Sequence, residues 1–206
     1  MSTSISNPMS NISSAESSNS KRQKFTNQKG VSVDDMISNL PDAVLLHILS
    51  ILTTKDAVAT GVLSNSWEYL WINVLNLHLQ DLDGKKHSFK NFVYRVLLQL
   101  TAPSIRKFHL QFKSDKDINS CDVESWFLIA VARNVQEVNP VCQSKPPIHL
   151  PRCVFTCRTL VSLALCGRVV IKFPSSSFCF PSLKNLDLHY VSTLDDDTVR
   201  ELISNC

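Results

Sequence analysis

Residues 40–71 read LPDAVLLHILSILTTKDAVATGVLSNSWEYLW, and this stretch decides how the chain begins to fold. Pro41 and Asp42 predict the start of a helix, because proline fits the first helical position and an acidic side chain complements the positive end of the helix dipole. Apolar residues on one helical face follow at offsets of 0, 3, 4 and 7: Leu45, Ile48, Leu49 and Leu52. A second apolar line runs through Val44, Leu46 and Ile51, so little of this helix is left for water.

The same stretch predicts two more short helices. Lys55 and Asp56 open the second, and Ser64 or Asn65 caps the third, with Glu68 placed as in a capping box. Their apolar side chains are Ala57, Val58, Ala59 and Val62 in the second helix, and Trp67, Leu70 and Trp71 in the third. Helices this short cannot bury all of that surface among themselves. Either the rest of the chain or another protein covers the excess, and periodicity leaves both alternatives open.

Several ordered motifs in this stretch resemble an F-box, the module by which SCF-type ubiquitin ligases bind a linker protein, in the form found in plant F-box proteins with leucine-rich repeats. The matching motifs are Leu40-Pro41-Asp42, Ile48-Leu49-Ser50, Thr54-Lys55-Asp56-Ala57-Val58, Thr60, Val62-Leu63-Ser64, Trp67 and Leu70-Trp71. The resemblance implies a three-helix F-box. It also implies nine residues that form or support the linker interface: Leu40, Pro41, Leu45, Ile48, Leu49, Val62, Leu63, Trp67 and Leu70.

Four positions depart from the family pattern. Thr53 stands where the family usually has proline, Gly61 where it has serine, Asn65-Ser66 where it has a basic pair, and Glu68 where arginine is common. Glycine costs about 1 kcal/mol inside a helix. The lost positive charges weaken contacts to an acidic partner. We therefore expect linker binding that is weaker than is usual in the family.

Further along the chain a frame of hydrophobic-x-x-hydrophobic-x-hydrophobic residues recurs. Its starts at positions 105, 135, 160 and 183 differ by 30, 25 and 23. Its members are Ile105/Phe108/Leu110, Val135/Val138 with Pro140 in the last place, Leu160/Leu163/Leu165 and Leu183/Leu186/Leu188. These intervals lie at or near the period of leucine-rich repeats, in which each unit adds a strand and a helix or turn to a curved stack. The alternative is a β-rich domain with several alternating strands, which this period favours less.

Helices are predicted between these frames. Ser88 caps an amphipathic helix that Pro103 ends, and a second helix begins at about Asp122. Their apolar faces are Phe89, Phe92, Val93, Val96, Leu97 and Leu100 in the first, and Val123, Trp126, Phe127 and Ala130 in the second. Val74, Leu77 and Leu79 alternate as in a strand that precedes both.

The later segments 150–151, 155–160, 180–186 and 191–197 also resemble this family, so the resemblance runs from about Met36 to the end. It implies an α+β chain in which an F-box precedes an incomplete leucine-rich-repeat region, an α/β solenoid. We expect a disordered Ser/Asn-rich tail at residues 1–33, the F-box at 34–80 and the repeat region at 81–206. In the family, the phrase at Ser204-Asn205-Cys206 continues into further repeats, so we expect a repeat region truncated at its C-terminus.

Composition argues against several other classes of function. A net charge of +3 over 206 residues gives no strong basic surface for nucleic acid, and no apolar run is long enough to span a membrane. Seven irregularly spaced cysteines without an export signal indicate reduced thiols, and hence the nucleus and/or the cytoplasm. The basic residues at 21–24 are either a nuclear address or a few solvated charges.

Motifs of an enzyme, cofactor or metal site are also missing from the sequence. Four glycines argue against a phosphate-binding loop, and no serine sits in a strand–turn–helix elbow. Cys153 and Cys157 lack the second pair that structural zinc needs, and 195–197 lacks the spacing of a calcium loop. His47 is expected to be a partly exposed packing residue. We predict no catalysis, no cofactor and no metal.

The resemblance therefore implies a substrate-recruiting F-box subunit of an SCF ubiquitin ligase. The F-box docks a Skp-type linker, and through it a cullin, while the repeats hold an unknown protein target near the ubiquitin-loaded enzyme. Leu49→Asp with Trp67→Ala is expected to abolish linker capture and leave the repeats folded. The alternative is a truncated repeat module that binds partners without joining a ligase.

Overall fold

The computed structural model describes residues 40–63, 67, 69–81, 89–113, 118–143, 147–172 and 180–191. Its helices are α1 (Asp42–Ile51), α2 (Thr54–Ala59), α3 (Phe89–Gln99), α4 (Ser120–Ala132) and α5 (Arg152–Phe155), with 3-10 turns at Thr60–Val62 and Trp71–Asn73. Its strands are β1 (Asn76–Asp81), β2 (Lys107–Phe112), β3 (Glu137–Cys142), β4 (Ile148–His149), β5 (Ser162–Gly167), β6 (Val169–Val170) and β7 (Asn185–His189). The predictions for the N-terminal tail, its basic residues, the turn at 195–197 and the C-terminal phrase lie outside the described residues.

The first two helices begin at capping residues. Pro41 is the N-cap of α1, with φ −57° and ψ 142°, and not its first helical residue as expected. Its carbonyl accepts the N–H groups of Val44 and Leu45. The Thr53 hydroxyl accepts the Asp56 N–H at 3.2 Å and donates to the Asp56 carboxylate at 2.6 Å, so α2 starts at Thr54 and not at Lys55. The threonine that departs from the family pattern is therefore a helix cap.

The predicted second helix is shorter than expected. It ends at Ala59, and a 3-10 turn from Thr60 to Val62 follows it. Gly61 lies in that turn, so the cost of glycine in an α-helix interior does not arise. The predicted caps of a third helix, Ser64 or Asn65 with Glu68, lie outside the described residues.

Five of the strands form one parallel sheet in the order β1-β2-β3-β5-β7, and β4 pairs with β6 in a separate parallel pair. One row of Cα partners crosses the large sheet through Leu77, Phe108, Val138, Leu163 and Leu186. Four of these residues are the second members of the recurring frame, so equivalent positions of the frame lie side by side in the sheet. Parallel strands with helices between β1, β2 and β3 favour the repeat interpretation over the alternative of a β-rich domain with several alternating strands.

The fifth member of that row, Leu77, shows that β1 carries the same frame. Val74, Leu77 and Leu79 occupy its three positions, one repeat interval before the frame at Ile105, and all three are buried. Sequence reasoning recognised this segment as a strand but did not connect it to the repeat. The first repeat strand thus follows residues 40–71 almost immediately.

The large sheet has two chemically different faces. The frame residues face the helices and share one hydrophobic core with them, to which α3 and α4 contribute Val93, Leu97, Trp126 and Phe127. The residues between them alternate onto the opposite side and are mostly polar; we call this side the polar face. On β1, β2 and β3 the polar face carries Asn76, His78, Gln80, Lys107, His109, Gln111, Glu137, Asn139 and Val141.

Helices α3 and α4 are joined by a buried carboxylate. Asp122 is 5% exposed and lies in the first turn of α4, where it forms a capping box with Asn119. Its Oδ1 is 2.9 Å from Lys90 Nζ and accepts the Tyr94 hydroxyl at 3.0 Å, and both partners lie on α3. One carboxylate therefore caps its own helix and holds the preceding one.

The two N-terminal helices pack against the first strand of the sheet. Leu45, Leu49 and Ala57 belong to the same core cluster as the frame residues of β1. Thr54, which is 5% exposed, accepts the His78 N–H of β1 through its Oγ1 at 2.8 Å. Residues 40–71 and the sheet therefore form one continuous packed unit.

We expect Thr54→Val to lower the free energy of unfolding by about 1–2 kcal/mol, because the His78 N–H loses a buried acceptor while the side-chain shape is kept. Urea denaturation followed by far-UV circular dichroism measures this loss. Thr156→Val is the matched control, since Thr156 is exposed and donates to the Cys153 carbonyl within its own turn. Equal losses in the two variants would contradict the assigned role of Thr54.

We expect the stabilising effect of Asp122 to depend on pH. Burial acts to raise the pKa of its carboxyl, but the Asn119 N–H, Lys90 and Tyr94 outweigh burial and leave the pKa lowered. Such a group stabilises the fold above the unfolded-state pKa, ~3.9, and this contribution is lost as the pH falls through the folded-state pKa.

The difference in unfolding free energy between the wild type and Asp122→Asn should therefore be largest near neutral pH and shrink below about pH 4. Chemical denaturation at several pH values measures it. Asp187→Asn is the control, because that side chain is 62% exposed. A constant difference across this pH range would mean that the charge of Asp122 contributes nothing to the free energy of unfolding.

Candidate partner-binding surface

The nine residues predicted to form or support a partner interface differ in their exposure. Leu45, Leu49 and Trp67 are buried, Ile48 and Leu70 are half-buried, and Leu40, Pro41, Val62 and Leu63 are exposed. The predicted set therefore contains two kinds of residue. One kind is available to a partner, and the other holds the segment in place.

The buried members belong to the core of this chain. Leu49 is 1% exposed and Trp67 is 3% exposed, and both lie in the cluster that continues into the sheet. A carboxylate at position 49 and a cavity at position 67 would both perturb that core. Leu49→Asp with Trp67→Ala is thus a poor test of linker capture, because a loss of capture could not be separated from unfolding.

The exposed members belong to a larger group, which we call the exposed apolar set. It consists of Leu40, Val44, Ile51, Val62, Leu63 and Tyr69. Val62 is 89% exposed and Ile51 is 70% exposed, which is unusual for branched aliphatic side chains. Val44, Ile51 and Tyr69 were not among the predicted site residues. The second apolar line of α1 contained the signal for the first two.

Helix α1 explains how one short segment serves both purposes. Val44, His47 and Ile51 are offset by 0, 3 and 7, lie on one side of the helix and are exposed. Leu45 and Leu49 lie on the other side and are buried. His47 therefore belongs to the exposed side, in contrast to its predicted packing role. The apolar line through Leu45 and Leu49 thus faces the core, and the line through Val44 and Ile51 faces the solvent.

Few charges accompany the exposed apolar set. Asp42, Lys55 and Asp56 are exposed on α1 and α2, and Lys55 is the one lysine or arginine among residues 40–63. Asp56 is engaged by the Thr53 cap. The exposed apolar set therefore offers a partner mainly apolar area and few charges.

The described residues hold no group of three or more histidine, cysteine or acidic side chains that could bind a metal ion. Cys153 and Cys157 are free thiols, and burial, the largest cause, raises the pKa of Cys153 to about 11, so its thiol is a poor nucleophile. Within the described ranges, no helix has the length and hydrophobicity that crossing a membrane requires.

Comparisons with known proteins agree with this arrangement. A family model for the F-box domain matches residues 37–79, and a model described as FBD-associated F-box protein At5g56370, LRR repeats, matches residues 123–206. The chain is 40% identical over 179 residues to the F-box/FBD/LRR-repeat protein At5g56420 of Arabidopsis thaliana, a match that covers 85% of this chain. It is also 39% identical over 176 residues to the FBD-associated F-box protein At5g56370 of the same plant, covering 84% of this chain.

The chain belongs to the FBD-associated F-box/LRR family. The resemblance stated from the motifs in residues 40–71 and from the later segments between 150 and 197 is thus confirmed. An F-box is followed by a leucine-rich-repeat region, and the described part of this F-box/LRR chain combines helices with a parallel sheet. The F-box match extends to residue 79 and so includes most of β1, the first strand of the sheet.

The match covers only part of each relative. The chain spans 42% of the length of the first relative named above and 41% of the second. Another plant relative, the F-box/LRR-repeat protein At3g26922, is 37% identical over 183 residues, which is 59% of its length. No solved structure gave a significant match.

The division into buried and exposed members leads to a stability prediction. Leu49→Ala should lower the free energy of unfolding by about 2–5 kcal/mol, because it removes a fully buried side chain from the shared core. Val62→Ala should change it by less than about 0.5 kcal/mol, because Val62 is a surface residue. Thermal and urea denaturation measure both. A comparable effect of the two substitutions would contradict the assignment of Leu49 to the core and Val62 to the surface.

Proposed function

We propose that this chain is the substrate-recruiting subunit of an SCF ubiquitin ligase. Its F-box docks a Skp-type linker, and through it a cullin, while its repeats hold a protein target. The observation that carries the proposal is the exposed apolar set in the segment that matches the F-box model. The proposed partners are proteins, and neither a membrane nor a nucleic acid is among them. The proposed compartment is the nucleus and/or the cytoplasm.

Exposed apolar side chains support a binding role because they cost free energy in water unless a partner covers them. Val62 and Leu63 directly follow α2, and Val44 and Ile51 lie on the outer side of α1. We assign the contact role to the exposed apolar set together with Pro41. Leu45, Leu49 and Trp67 support that surface from the core, with Ile48 and Leu70 at its border.

The proposal includes a three-helix F-box, with the third helix around Trp67, and a repeat region that is an incomplete solenoid. The regular parallel register of β1, β2, β3, β5 and β7 supports the solenoid. Domain limits of 34–80 and 81–206 belong to the same proposal, with β1 at the boundary between the two domains.

The mechanism is the positioning of one protein near another. A tethered target meets the ubiquitin-loaded enzyme at a raised effective concentration, so the adaptor needs no chemistry of its own. The packing of α1 and α2 on β1 supports this mechanism, because a rigid junction keeps the distance between linker and target constant. The family consists of non-catalytic adaptors in general, and a ligase subunit of this kind requires no cofactor.

A direct test measures capture of a purified Skp-type linker by the full chain. We expect the wild type to bind the linker. The double variant Ile51→Asp with Val62→Asp should have a Kd about a hundredfold higher, since an unpaired carboxylate in an apolar interface costs ~3 kcal/mol. Both residues are exposed, so the variant should remain folded, which circular dichroism verifies.

Leu98→Asp provides the matched control. Leu98 is 78% exposed on α3, in the repeat region, and its replacement should leave linker binding unchanged. Unchanged capture by the double variant would refute the assigned contact residues. A folded wild type that does not bind the linker would refute membership of a ligase and favour a repeat module that binds partners by itself.

A further inference from the structure

A cavity of about 370 Å³ opens on the polar face of the sheet, next to the last turn of α1. It is lined by Ser50 of α1 and by six residues of the first three strands: Asn76, Leu77, His78, Lys107, His109 and Asn139. The parallel register places His78, His109 and Asn139 in one row, with Asn76 and Lys107 in the next. The cavity thus lies where the F-box meets the repeats.

The lining of this cavity suits an anion. It contains one ammonium group, two imidazoles and two amides, and none of its seven described residues is acidic. The Ser50 hydroxyl donates to the His47 carbonyl at 2.7 Å and so adds no donor for an anion. Glu137 lies beside Lys107 on the polar face, and its carboxylate contacts both Lys107 and Arg106. Its Oε2 is 3.1 Å from Lys107 Nζ and its Oε1 is 4.0 Å from Arg106 Nε. Because Glu137 is shared with Arg106, it does not fully neutralise Lys107, the one cation among the described residues that line the cavity.

The two histidines are held close together and neutral. Their ring centroids are 4.3 Å apart and their planes nearly perpendicular. Burial and the nearby Lys107 lower the pKa of His78. Burial lowers the pKa of His109, and the nearby His78 and Lys107 lower it further. A contact with Gln111 at 3.5 Å acts to raise it. At neutral pH each ring therefore offers one N–H donor, and each gains a positive charge only at lower pH.

Asn76 adds an unsatisfied polar group to the cavity. Its Oδ1 is buried and has no hydrogen-bond partner within the described part of the chain. Buried polar atoms without partners are rare, and they cost free energy until a partner arrives. Because the oxygen and nitrogen of an amide exchange places by rotation about one bond, Asn76 can present either an acceptor or two donors to a ligand.

We propose that this cavity binds a single carboxylate side chain of the target, so that the chain selects acidic peptide segments through Lys107, His78, His109 and Asn76. The proposal rests on the target-recruiting function proposed above and names the class of target. A carboxylate carries one negative charge, which matches the one lysine and the neutral donors around it. Phosphate sites generally use arginine clusters, and no arginine lines this cavity among the described residues.

The position of the cavity has a consequence for recruitment. Ser50 belongs to the same helix as Ile51, whose exposed side chain is assigned to the linker contact. An acidic residue bound here would be held beside the F-box, at the N-terminal end of the repeat sheet. The target would therefore enter the ligase close to the linker.

Fluorescence anisotropy with a fluorescein-labelled hexaglutamate peptide tests the proposal on the full chain. We expect binding to the wild type and none to the matched hexaglutamine peptide. Lys107→Gln should weaken hexaglutamate binding about tenfold, the usual effect of removing one charge-assisted hydrogen bond. Lys184→Gln is the matched control, since Lys184 is an exposed lysine outside the cavity. Equal binding of the two peptides, or equal effects of the two substitutions, would overturn the proposal.

The pH dependence gives a second readout, measured on variants that circular dichroism shows to be folded. Because a bound carboxylate favours the protonated imidazoles, affinity should rise as the pH falls from 7.5 to about 5.5, where glutamate is still ionised. The double variant His78→Gln with His109→Gln should lose this rise, whereas His189→Gln should keep it, since His189 pairs with Asp187 on β7 outside the cavity. A pH response that persists without His78 and His109 would contradict their role.

Two further measurements separate this proposal from its competitors. A peptide of equal length with one phosphoserine should bind no better than hexaglutamate, and a clear preference for it would overturn the choice of a carboxylate. Linker capture is measured on the same samples and should be unaffected by Lys107→Gln. Linker capture without peptide binding refutes the acidic target site alone, and peptide binding without linker capture refutes the ligase function alone.

Discussion

The contact between α2 and β1 is the interaction on which the rest of the structure depends. A sheet of repeated parallel strands has an unpaired first edge, which costs free energy and invites pairing with other chains. Here Thr54 accepts the His78 N–H of that edge strand, and Leu45, Leu49 and Ala57 extend the core beyond it. The F-box helices therefore cap the repeat sheet, and the sheet in turn buries apolar surface that such short helices could not bury alone.

The excess of apolar residues in residues 40–71 raised two alternatives, cover by the rest of the chain or by another protein. Cover by the chain is correct for the inner side of these helices, and cover by another protein stays a prediction for their outer side. The line through Leu45 and Leu49 is covered by this chain, whereas the line through Val44 and Ile51 remains exposed. If α1 and α2 were apolar on their inner side alone, they would only cover the edge of the sheet. The outer line gives the cap a surface that a second protein can bind.

The sequence was sufficient for the parts of the fold that depend on periodicity. The frame at Ile105, Val135, Leu160 and Leu183 predicted the strands, and the structure places its equivalent members side by side. The apolar face of α3 was likewise readable from its spacing, since a helix buries residues three and four apart. Periodicity could not show whether Leu49 faces this chain or a partner. That distinction depends on what packs against α1.

The candidate sites were harder to predict because they are made by tertiary contacts. Thr53 looked like a departure from the family pattern, but its role as a cap appears only when the Asp56 N–H is seen within reach of its hydroxyl. His78 and His109 are far apart in the sequence and become ring neighbours only through the register of β1 and β2. Once Val74 is recognised as the start of the frame, the same register follows from the sequence.

The irregular spacing of the repeats has its cause on the helical side of the sheet. The two longest intervals between frame starts, from Val74 to Ile105 and from there to Val135, enclose the long helices α3 and α4. The shorter interval from Val135 to Leu160 encloses the short strand β4 and, among its described residues, no helix longer than the single turn of α5. Neighbouring strands must stay about 4.8 Å apart whatever lies behind them, so the length of the return path can vary while the register is kept.

Pro140 illustrates the same tolerance within a strand, because β3 and β5 pair on either side of Asn139 and Pro140 but not at these two residues. Proline has no N–H to donate to the ladder, and the strand tolerates it there because the core-facing neighbours Val138 and Leu163 remain in register. What the fold holds constant is the row of core-facing residues. This leaves the polar face free to vary from strand to strand and to acquire a binding site at its first three strands.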